Sequence, residues 1–563
     1  MMLEPWGQSY GQSRPGRWRS VLGGQPLTMA NIENLGNTKV GEKQQIAATA
    51  ENSSRAIGAA PLTLASIIAT VGPASSSPVM IRKLIEAGVS IFRLNFSHGA
   101  LDQFAPLVAT IRRQAEELKL PIGVLGDLPG PKIRLGELPE PLTLVPGDHV
   151  VLDPACTVPI RDATGAWCLP CGYKAIGRDV QPGHRVLIND GLTRLLAIEP
   201  AHHGTALRCC VLGSGPTVIS SRKGINLPDS QLSVQPMQER DWQAVAIAEE
   251  TAMDFLALSF VRSASEVAEL QAELARRAKA RGREAIPVIA KIEKPQAVAD
   301  LVAICQVADG IMVARGDLGV EMDIADVPIV QRRIIATADE WGKPCIVATQ
   351  MLESMISASL PTRAEATDVS NAVLAGADAV MLSGETAVGA HPVLVVETMR
   401  RIIARAEDAL REMRTAPSPP RGIIETGYRT AALAHGAWYI ARDVRAKLVV
   451  CWSQSGGAAR YLSQTGFGVP IIAYSSSMTQ LRRMAILKGV RPMHIDFDSL
   501  PAQSVPVASE PLPLDVWRAR VDADLIARGW AATGETIVEV AGRPLGVAKT
   551  GTSVSVRAVG GKF

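Results

Sequence analysis

Residues 311–319 read IMVARGDLG, and this stretch decides the fold that the sequence predicts. Four apolar residues, which suit a strand buried on both faces, pass directly into a charged pair, Arg315 and Asp317, with glycines beside it. A buried strand ordinarily ends in a neutral turn. Charge at this strand end, next to glycines that allow close backbone approach, indicates that the end faces a ligand.

The same kind of apolar run recurs along the chain from about Leu64 onward. The runs alternate with longer segments of helical period, several of which end in glycine, as helix C-termini commonly do. There are eight runs, which read SIIATV, SIFRLNF, IGVLGDL, FLALSF, PVIAKI, GIMVARG, CIVATQ and AVMLSG. Eight strand and helix units predict an α/β fold with a closed parallel (β/α)8 TIM barrel.

The predicted chain has four parts. Residues 1–62 show no sustained period and are predicted to be a disordered N-terminal extension. The barrel takes residues 63–135 and 235–415. Between them, the turn-rich short strands of 136–234 predict an inserted β-barrel lid domain over the barrel mouth. After the Pro-rich linker PSPPRG, residues 423–563 return to an α/β pattern, which predicts a further, C-terminal α/β domain.

Composition excludes several classes of protein. The net charge is +3, from 58 basic and 55 acidic residues spread along the chain, so no broad surface for nucleic acid is expected. No apolar run is long enough to span a membrane. The eight cysteines lie mostly in apolar runs, which favours a reducing compartment, and we expect the cytoplasm. Cys168 and Cys171 have the spacing of half a zinc site, although ordinary buried thiols are the favoured interpretation.

Polar residues at the predicted strand ends should meet, because the carboxyl ends of all barrel strands share one face. Glu293 and Asp317 suit Mg²⁺, which takes few carboxylates. Arg93, Arg134 and Lys291 suit phosphoryl oxygens. A salt bridge on the rim would explain any one of these residues. It explains the whole set poorly, because so many charges on one rim would leave ions unpaired.

Five longer stretches are similar to motifs of the pyruvate kinase family: RLNFSHG, IMVARGDLGVE, KPCIVATQMLESM, PTRAEATDVSNAV and MLSGET. The resemblance covers residues 64 to 563. It implies phosphoryl transfer from phosphoenolpyruvate to ADP, giving pyruvate and ATP in the last step of glycolysis, with Mg²⁺ or Mn²⁺ as cofactor. It also implies a homotetramer.

The resemblance assigns roles to individual residues. Glu293 and Asp317 would hold the divalent cation. The substrate-binding residues would be Arg93, Lys291, Gly316, Asp317 and Thr349. The catalytic residues would be Lys291, Arg93, Thr349, Ser383 and Glu385, with the proton donor left open among the last three. The nucleotide-binding residues would be Asn95, Arg134 and Lys223.

One departure from the family pattern concerns potassium. The family commonly reads DTKGPEIR, with a glutamate that accompanies a required K⁺ ion, whereas this chain reads DLPGPKIR and has Lys132 at that position. A tethered ammonium can replace a monovalent cation, so we expect activity without K⁺. The remaining positions of the K⁺ site pattern are Asn95, Ser97, Asp127 and Leu128, so weak occupancy stays open.

A second departure lies in SQSGGAAR, residues 453–460, which resembles the family's loop for an effector phosphate. Gln454 and Ala458 stand where members that respond to sugar bisphosphates often have a cationic and a hydroxyl side chain. Fructose bisphosphate is therefore not expected. A sugar monophosphate or AMP bound at 453–458, or no effector at all, remains open.

Two other functions compete with the kinase. A Mg²⁺-dependent lyase of pyruvate or phosphoenolpyruvate would use a similar barrel, but it has no use for a lid or for Lys223. A catalytically silent regulatory homologue is the other alternative, and the presence of Lys291, Glu293, Asp317 and Thr349 argues against it.

Overall fold

The computed structural model describes residues 62–413, 429–495, 514–543 and 551–561. The predicted N-terminal extension, apart from Leu62, and the Pro-rich linker lie outside these residues. Within the described ranges, none of the helices combines the length and apolarity needed to cross a membrane.

Eight parallel strands form the central barrel. They are β1 (Ser66–Thr70), β2 (Val89–Asn95), β3 (Gly123–Asp127), β13 (Phe255–Leu258), β14 (Val288–Ile292), β15 (Gly310–Ala314), β16 (Cys345–Ala348) and β17 (Ala379–Leu382). The barrel closes in the order β1-β17-β16-β15-β14-β13-β3-β2. The eight apolar runs of the sequence are these strands, and the predicted TIM barrel is confirmed.

Helices connect the barrel strands on the outside. They are α1 (Pro78–Ala87), α2 (Phe104–Glu117), α4 (Glu239–Glu250), α5 (Ala264–Ala280), α6 (Pro295–Ala299), α7 (Leu301–Val307), α8 (Arg315–Glu321), α9 (Val327–Glu340), α10 (Arg363–Leu374), α11 (Gly384–Ala387) and α12 (Pro392–Met413). Local signals set their ends. The Ser77 side chain caps α1, and Gly88, with φ of 121°, ends it. Thr362 and Glu365 form a capping box at the start of α10.

Side chains of the barrel strands are buried on both sides. Ile289, Met312 and Ile346 belong to a cluster inside the barrel, which continues into the C-terminal domain. The neighbours of Met312 in β15, Ile311 and Val313, belong to the cluster between strands and helices. Successive residues of a strand point to opposite faces, so both faces here require apolar side chains. This explains why the strands read as continuous apolar runs.

The inserted domain leaves the barrel after β3 and returns before α4. Its elements are β4 (Leu142–Leu144), β5 (His149–Asp153), β6 (Ile160–Arg161), β7 (Trp167–Pro170), α3 (Ile176–Asp179), β8 (Arg185–Ile188), β9 (Thr193–Ala201), β10 (Ala206–Leu212), β11 (Thr217–Ile219) and β12 (Ile225–Asn226). Seven strands form a sheet in the order β12-β8-β9-β10-β5-β7-β6, and β11 pairs with β4. This domain has its own apolar core, separate from that of the barrel.

Cys168 and Cys171 of the inserted domain are buried thiols. Burial raises the pKa of Cys168 to about 12 and that of Cys171 to about 11, which disfavours the thiolate that a zinc site needs. His202, a histidine of the same domain, pairs with Asp153, with 2.6 Å between its Nδ1 and Oδ2 of the carboxylate. Among the described residues, no group of three or more His, Cys, Asp or Glu side chains is arranged to hold a metal ion.

The C-terminal domain is a sheet covered by helices. Its elements are α13 (Arg429–Asp443), β18 (Val449–Trp452), α14 (Gly457–Gln464), β19 (Ile471–Ser475), α15 (Met478–Met484), β20 (Val490–His494), α16 (Leu514–Ala527), β21 (Thr536–Arg543) and β22 (Gly551–Ala558). The sheet order is β20-β19-β18-β21-β22, with β22 antiparallel to β21 and the other pairs parallel. The predicted α/β fold of this region is confirmed.

The barrel interior predicts a large effect of truncation. Ile289 is 1% exposed, so Ile289→Ala should lower the free energy of unfolding by about 2–5 kcal/mol, because it removes apolar contacts and leaves a cavity. Ile329 on α9 is 68% exposed, and Ile329→Ala should change stability by no more than about 0.5 kcal/mol. Urea denaturation of both variants measures the difference. Equal stabilities would contradict the packing described for the barrel interior.

Candidate active site

The centre of the barrel mouth is a buried ammonium group. Lys291, near the end of β14, donates a hydrogen bond to the Ser259 hydroxyl, with 2.7 Å between Nζ and Oγ. Its Nζ lies 3.2 Å from Oδ1 of Asp127 and 2.9 Å from Oε1 of Glu293. The three charged residues come from β3 and from the end of β14. One buried cation is thus shared by two buried carboxylates.

Arg93 completes the charge balance of this cluster. It lies on β2, donates from Nε to Oδ2 of Asp127 at 2.8 Å, and donates from NH1 to the Thr70 hydroxyl at 3.1 Å. Burial alone would raise the pKa of Asp127, but Lys291 and Arg93 outweigh it and hold that pKa below its ordinary value. Burial would likewise lower the pKa of Lys291, yet Asp127 and Glu293 outweigh it and raise the pKa. Both groups therefore stay charged.

Glu293 is a buried carboxylate beside Lys291 that could hold a cation. It is 1% exposed, and its Oε2 accepts a hydrogen bond from the Phe260 amide at 2.7 Å. Burial raises its pKa, the Lys291 ammonium opposes this rise, and the Asp317 carboxylate adds to it. Two carboxylates close enough to repel each other are stabilised by a cation between them. Mg²⁺ requires only one or two protein carboxylates, so Glu293 and Asp317 fit it.

Asp317 lies at the start of α8, which follows β15 without an intervening turn. Its Oδ1 is 3.6 Å from Nζ of Lys132, and both side chains are partly exposed. The Gly316 amide donates to the Thr349 hydroxyl at 2.8 Å, and that hydroxyl donates to the Ala348 carbonyl at 2.7 Å. The ends of β15 and β16 therefore bring an amide, a hydroxyl and a carboxylate to one place on the rim.

Arg315, the first residue of α8, is a structural cation. It is 7% exposed, forms an ion pair with Asp368 of α10, and donates to the carbonyls of Thr349 and Gln350 at 2.7 and 3.0 Å. Thr349 and Gln350 have φ of 65° and 53°, in the left-handed region that residues other than glycine rarely adopt. Such backbone persists only where its surroundings hold it. Arg315 supplies that support and so orients the Thr349 hydroxyl.

Ser383 and Glu385 lie where β17 meets α11. Glu385 is fully buried, and its two oxygens accept hydrogen bonds from the amides of Leu352 and Ser383, at 3.0 and 2.6 Å. The Ser383 hydroxyl is buried and has no hydrogen-bond partner within the described part of the chain. Glu385 thereby links the ends of β16 and β17.

Cations converge on the side of the rim nearest β2. Their charges act on His98: burial lowers the pKa of this histidine, and the charges of Arg134, Arg93 and Lys132 lower it further. These three cations come from two segments of the barrel, at the end of β2 and after β3. A site with this concentration of positive charge suits a ligand that carries several phosphate oxygens.

Asp127, one of the residues predicted to meet K⁺, lies within the charged cluster, and the other residues predicted to meet the nucleotide or K⁺ lie at its edge. The Asn95 side chain accepts from the Ser97 amide at 3.1 Å, and Arg134 donates to the Arg222 carbonyl at 3.1 Å. Lys223, next to Arg222 in the inserted domain, is partly exposed. Leu128 is buried directly after β3, where its amide bonds the Ala257 carbonyl. Apart from Asp127, these residues flank the charged cluster and do not enter it.

The loop predicted to hold an effector lies at the start of α14, remote in sequence from the barrel mouth. Gly456 has φ of 78° and precedes the helix, and the Ser453 hydroxyl accepts from the Ala459 amide at 3.0 Å. Gln454 donates to the Ser476 hydroxyl at 2.7 Å. The loop is ordered by its own hydrogen bonds.

Some residues of the site were missed in the sequence. Ser259 and Phe260 follow β13, the fourth strand, and both contact the charged cluster. The same reasoning that identified the other strand ends would have found them. Asp368 lies within the stretch PTRAEATDVSNAV, but no local pattern predicts that it pairs with Arg315, because only the fold brings its helix to the rim.

Comparisons with known proteins agree with this geometry. Residues 62–396 match the family model of the pyruvate kinase barrel domain, and residues 431–556 match that of the pyruvate kinase alpha/beta domain. The chain is 37% identical over 503 residues to a pyruvate kinase of Mycobacterium intracellulare, covering 88% of this chain and 98% of the relative. It is 38% identical over 488 residues to that of Methylorubrum extorquens, covering 85% and 94%.

A solved structure is similar as well. The crystal structure of a pyruvate kinase from Cryptosporidium parvum superposes with a TM-score of 0.75 at 30% identity, covering 88% of this chain and 96% of that one. Sequence, fold and the charged cluster at the barrel mouth thus agree, and the chain belongs to the pyruvate kinase family.

Proposed function

We propose that this chain transfers the phosphoryl group of phosphoenolpyruvate to ADP, giving pyruvate and ATP. The observation that carries this proposal is the buried Lys291, in ionic contact with Asp127 and Glu293 at the mouth of the barrel. A buried ammonium held between two carboxylates is costly unless it serves the chemistry at that place.

Glu293 and Asp317 would hold the divalent cation, Mg²⁺ or Mn²⁺. When bound, such a cation acts as a Lewis acid on substrate oxygens and so stabilises the charge that develops on an enolate. The position of Asp317 at the first turn of α8, with its side chain partly exposed on the rim, supports this role.

Lys291 and Arg93 would bind the phosphoryl group during transfer. Charge is then spread over its equatorial oxygens, and catalysis consists largely of positioning and neutralising it. Both cations are anchored through Asp127, which keeps their charge and fixes their position. Preorganised charge of this kind stabilises a transition state without a reorganisation cost.

The enolate then takes up a proton. Thr349, Ser383 and Glu385 remain the candidates for its delivery. Glu385 is enclosed, with both oxygens bonded to backbone amides, which favours a positioning role for it. The Thr349 and Ser383 hydroxyls are the better candidates to hold or relay the proton, because both directly follow barrel strands and a hydroxyl can both donate and accept.

The inserted domain would act as a lid over the nucleotide. Lys223, together with Arg134 and Asn95, would meet the ADP phosphates. A closed lid excludes water and so protects the phosphoryl group from hydrolysis. Assembly as a homotetramer, a cytoplasmic location and an effector bound at 453–458 remain predictions.

Replacing Lys291 tests the mechanism. Lys291→Met should lower kcat by at least about 10²- to 10³-fold, because it removes a preorganised charge from the transferred group. A coupled assay of pyruvate formation from phosphoenolpyruvate and ADP measures it. Lys343→Met is the matched control: Lys343 is partly buried before β16, at the opposite end of the barrel, and donates to the Ala308 carbonyl at 2.7 Å. Full activity of the Lys291 variant would refute the proposed mechanism, and a wild-type chain without phosphoenolpyruvate-dependent ATP formation would refute the proposed function.

The position of Lys132 predicts that the chain works without K⁺. Its ammonium, 3.6 Å from Asp317, occupies the rim beside the proposed cation ligand. The wild type should therefore be active in K⁺-free buffer, and Lys132→Glu should be about 10²-fold less active without K⁺ than with it. Lys174→Glu, which makes the same charge change at an exposed position of the lid, should behave like the wild type. Strong stimulation of the wild type by K⁺ would contradict the prediction.

A further inference from the structure

A buried polar cluster joins the inserted domain to the barrel. Oε1 of Glu321, the last residue of α8, accepts a hydrogen bond from Nζ of Lys294 at 2.7 Å and from Nδ2 of Asn226 at 2.8 Å. Lys294 follows β14, and Asn226 ends β12 of the inserted domain. Glu321 is 1% exposed, and the other two residues are 7% and 5% exposed. A single carboxylate oxygen therefore bridges two barrel segments and the lid.

Burying this polar cluster costs free energy. Oε2 of Glu321 and Oδ1 of Asn226 have no hydrogen-bond partner among the described residues. Both groups line a cavity of about 20 Å³ between lid and barrel, which has room for one water molecule. Apolar side chains of similar size would fill this junction at a lower cost in free energy. The polar groups are therefore better explained by a role in function than by stability.

The three segments that meet at Glu321 carry proposed functional groups. Lys294 directly follows Glu293, one of the two proposed cation ligands. Asp317, the other, lies four residues before Glu321 on the short helix α8. Asn226 lies three residues after Lys223. A displacement of Glu321 would thus move a cation ligand, and a displacement of Asn226 would move the lid lysine.

A second contact places the same lid segment against the rim. The Ile225 amide bonds the Ile133 carbonyl at 2.8 Å, and the Leu135 amide bonds the Lys223 carbonyl at 2.9 Å. Gly224, between them, lies so close to Lys132 that an added Cβ would come within 3.1 Å of its Cε. The lid segment from Lys223 to Asn226 therefore lies beside both Lys132 and Glu321. The contact of Gly224 with Lys132 and that of Asn226 with Glu321 both depend on the same position of the lid relative to the barrel.

We propose that Asn226 is a positioning residue, which latches the lid to α8 through Glu321 and thereby favours the lid position that binds the nucleotide. This inference rests on the proposed function, because it assigns the nucleotide to the space between lid and barrel. The latch acts on the lid side of the site. It should affect the binding of ADP far more than that of phosphoenolpyruvate, whose proposed ligands all lie on the barrel.

Removing the lid half of the latch tests the inference. Asn226→Ala in the full chain should raise KM for ADP by about tenfold, the equivalent of one hydrogen bond to a charged group, and leave KM for phosphoenolpyruvate and kcat unchanged. Hydrogen exchange followed by mass spectrometry, without ligands, should show faster exchange of residues 223–227. A purely structural role would not separate the two KM values.

The control is Thr217→Val, which removes the 2.6 Å hydrogen bond between Thr217 and Thr193, inside the lid. It should leave both KM values and the exchange of 223–227 unchanged. An unchanged KM for ADP in Asn226→Ala, or an equal rise in both KM values, would overturn the latch. The wild type in the same assay keeps the two proposals apart, since its inactivity would instead refute the proposed function.

Glu321→Gln tests the barrel side of the latch, and it provides an independent test if Asn226→Ala does not fold. The amide keeps an acceptor oxygen for Asn226 but loses the ion pair with Lys294. KM for ADP should then rise less than in Asn226→Ala. The Mg²⁺ concentration that gives half of the maximal thermal stabilisation should also rise, because the ion pair no longer connects the segments of Glu293 and Asp317. Unchanged Mg²⁺ stabilisation together with unchanged KM for ADP would overturn the role of Glu321.

Discussion

The site is organised around the ammonium group of Lys291, which is buried in the barrel mouth between Asp127 and Glu293. Isolated charges cannot be buried at an acceptable free energy, so each of these groups depends on the others. Arg93 and the Ser259 hydroxyl complete the set. Because the partners come from different strands, the cluster forms only when the barrel closes. The barrel in turn presents a fixed arrangement of charge to any ligand at its mouth.

Backbone geometry adds a second constraint. Thr349 and Gln350 adopt left-handed conformations that would not persist in a free loop. Arg315 holds them by bonding their carbonyls and is itself anchored by Asp368. Arg315, the charged residue that directly follows β15 in the sequence, therefore stabilises the backbone of the site. Asp317, two residues on, has its side chain partly exposed on the rim.

The inserted domain has its own core, separate from that of the barrel, which suits a part that moves relative to it. The polar contact between Asn226 and Glu321 crosses that junction. It ends on the helix that carries Gly316 and Asp317 in its first turn. The mechanical link between lid and site is thus short, and it passes through a helix of seven residues rather than through a flexible loop.

The sequence by itself determined the barrel, the insertion and the C-terminal domain, because hydrophobic period and turn composition are local signals. It also determined Glu293 and Asp317 as candidate ligands, since strand ends must share one face in a parallel barrel. Only the tertiary structure decided which charges pair. The contacts of Arg315 with Asp368 and of Glu321 with Asn226 join segments far apart in the chain. Such pairings depend on how helices and domains pack, and no local pattern of residues records that.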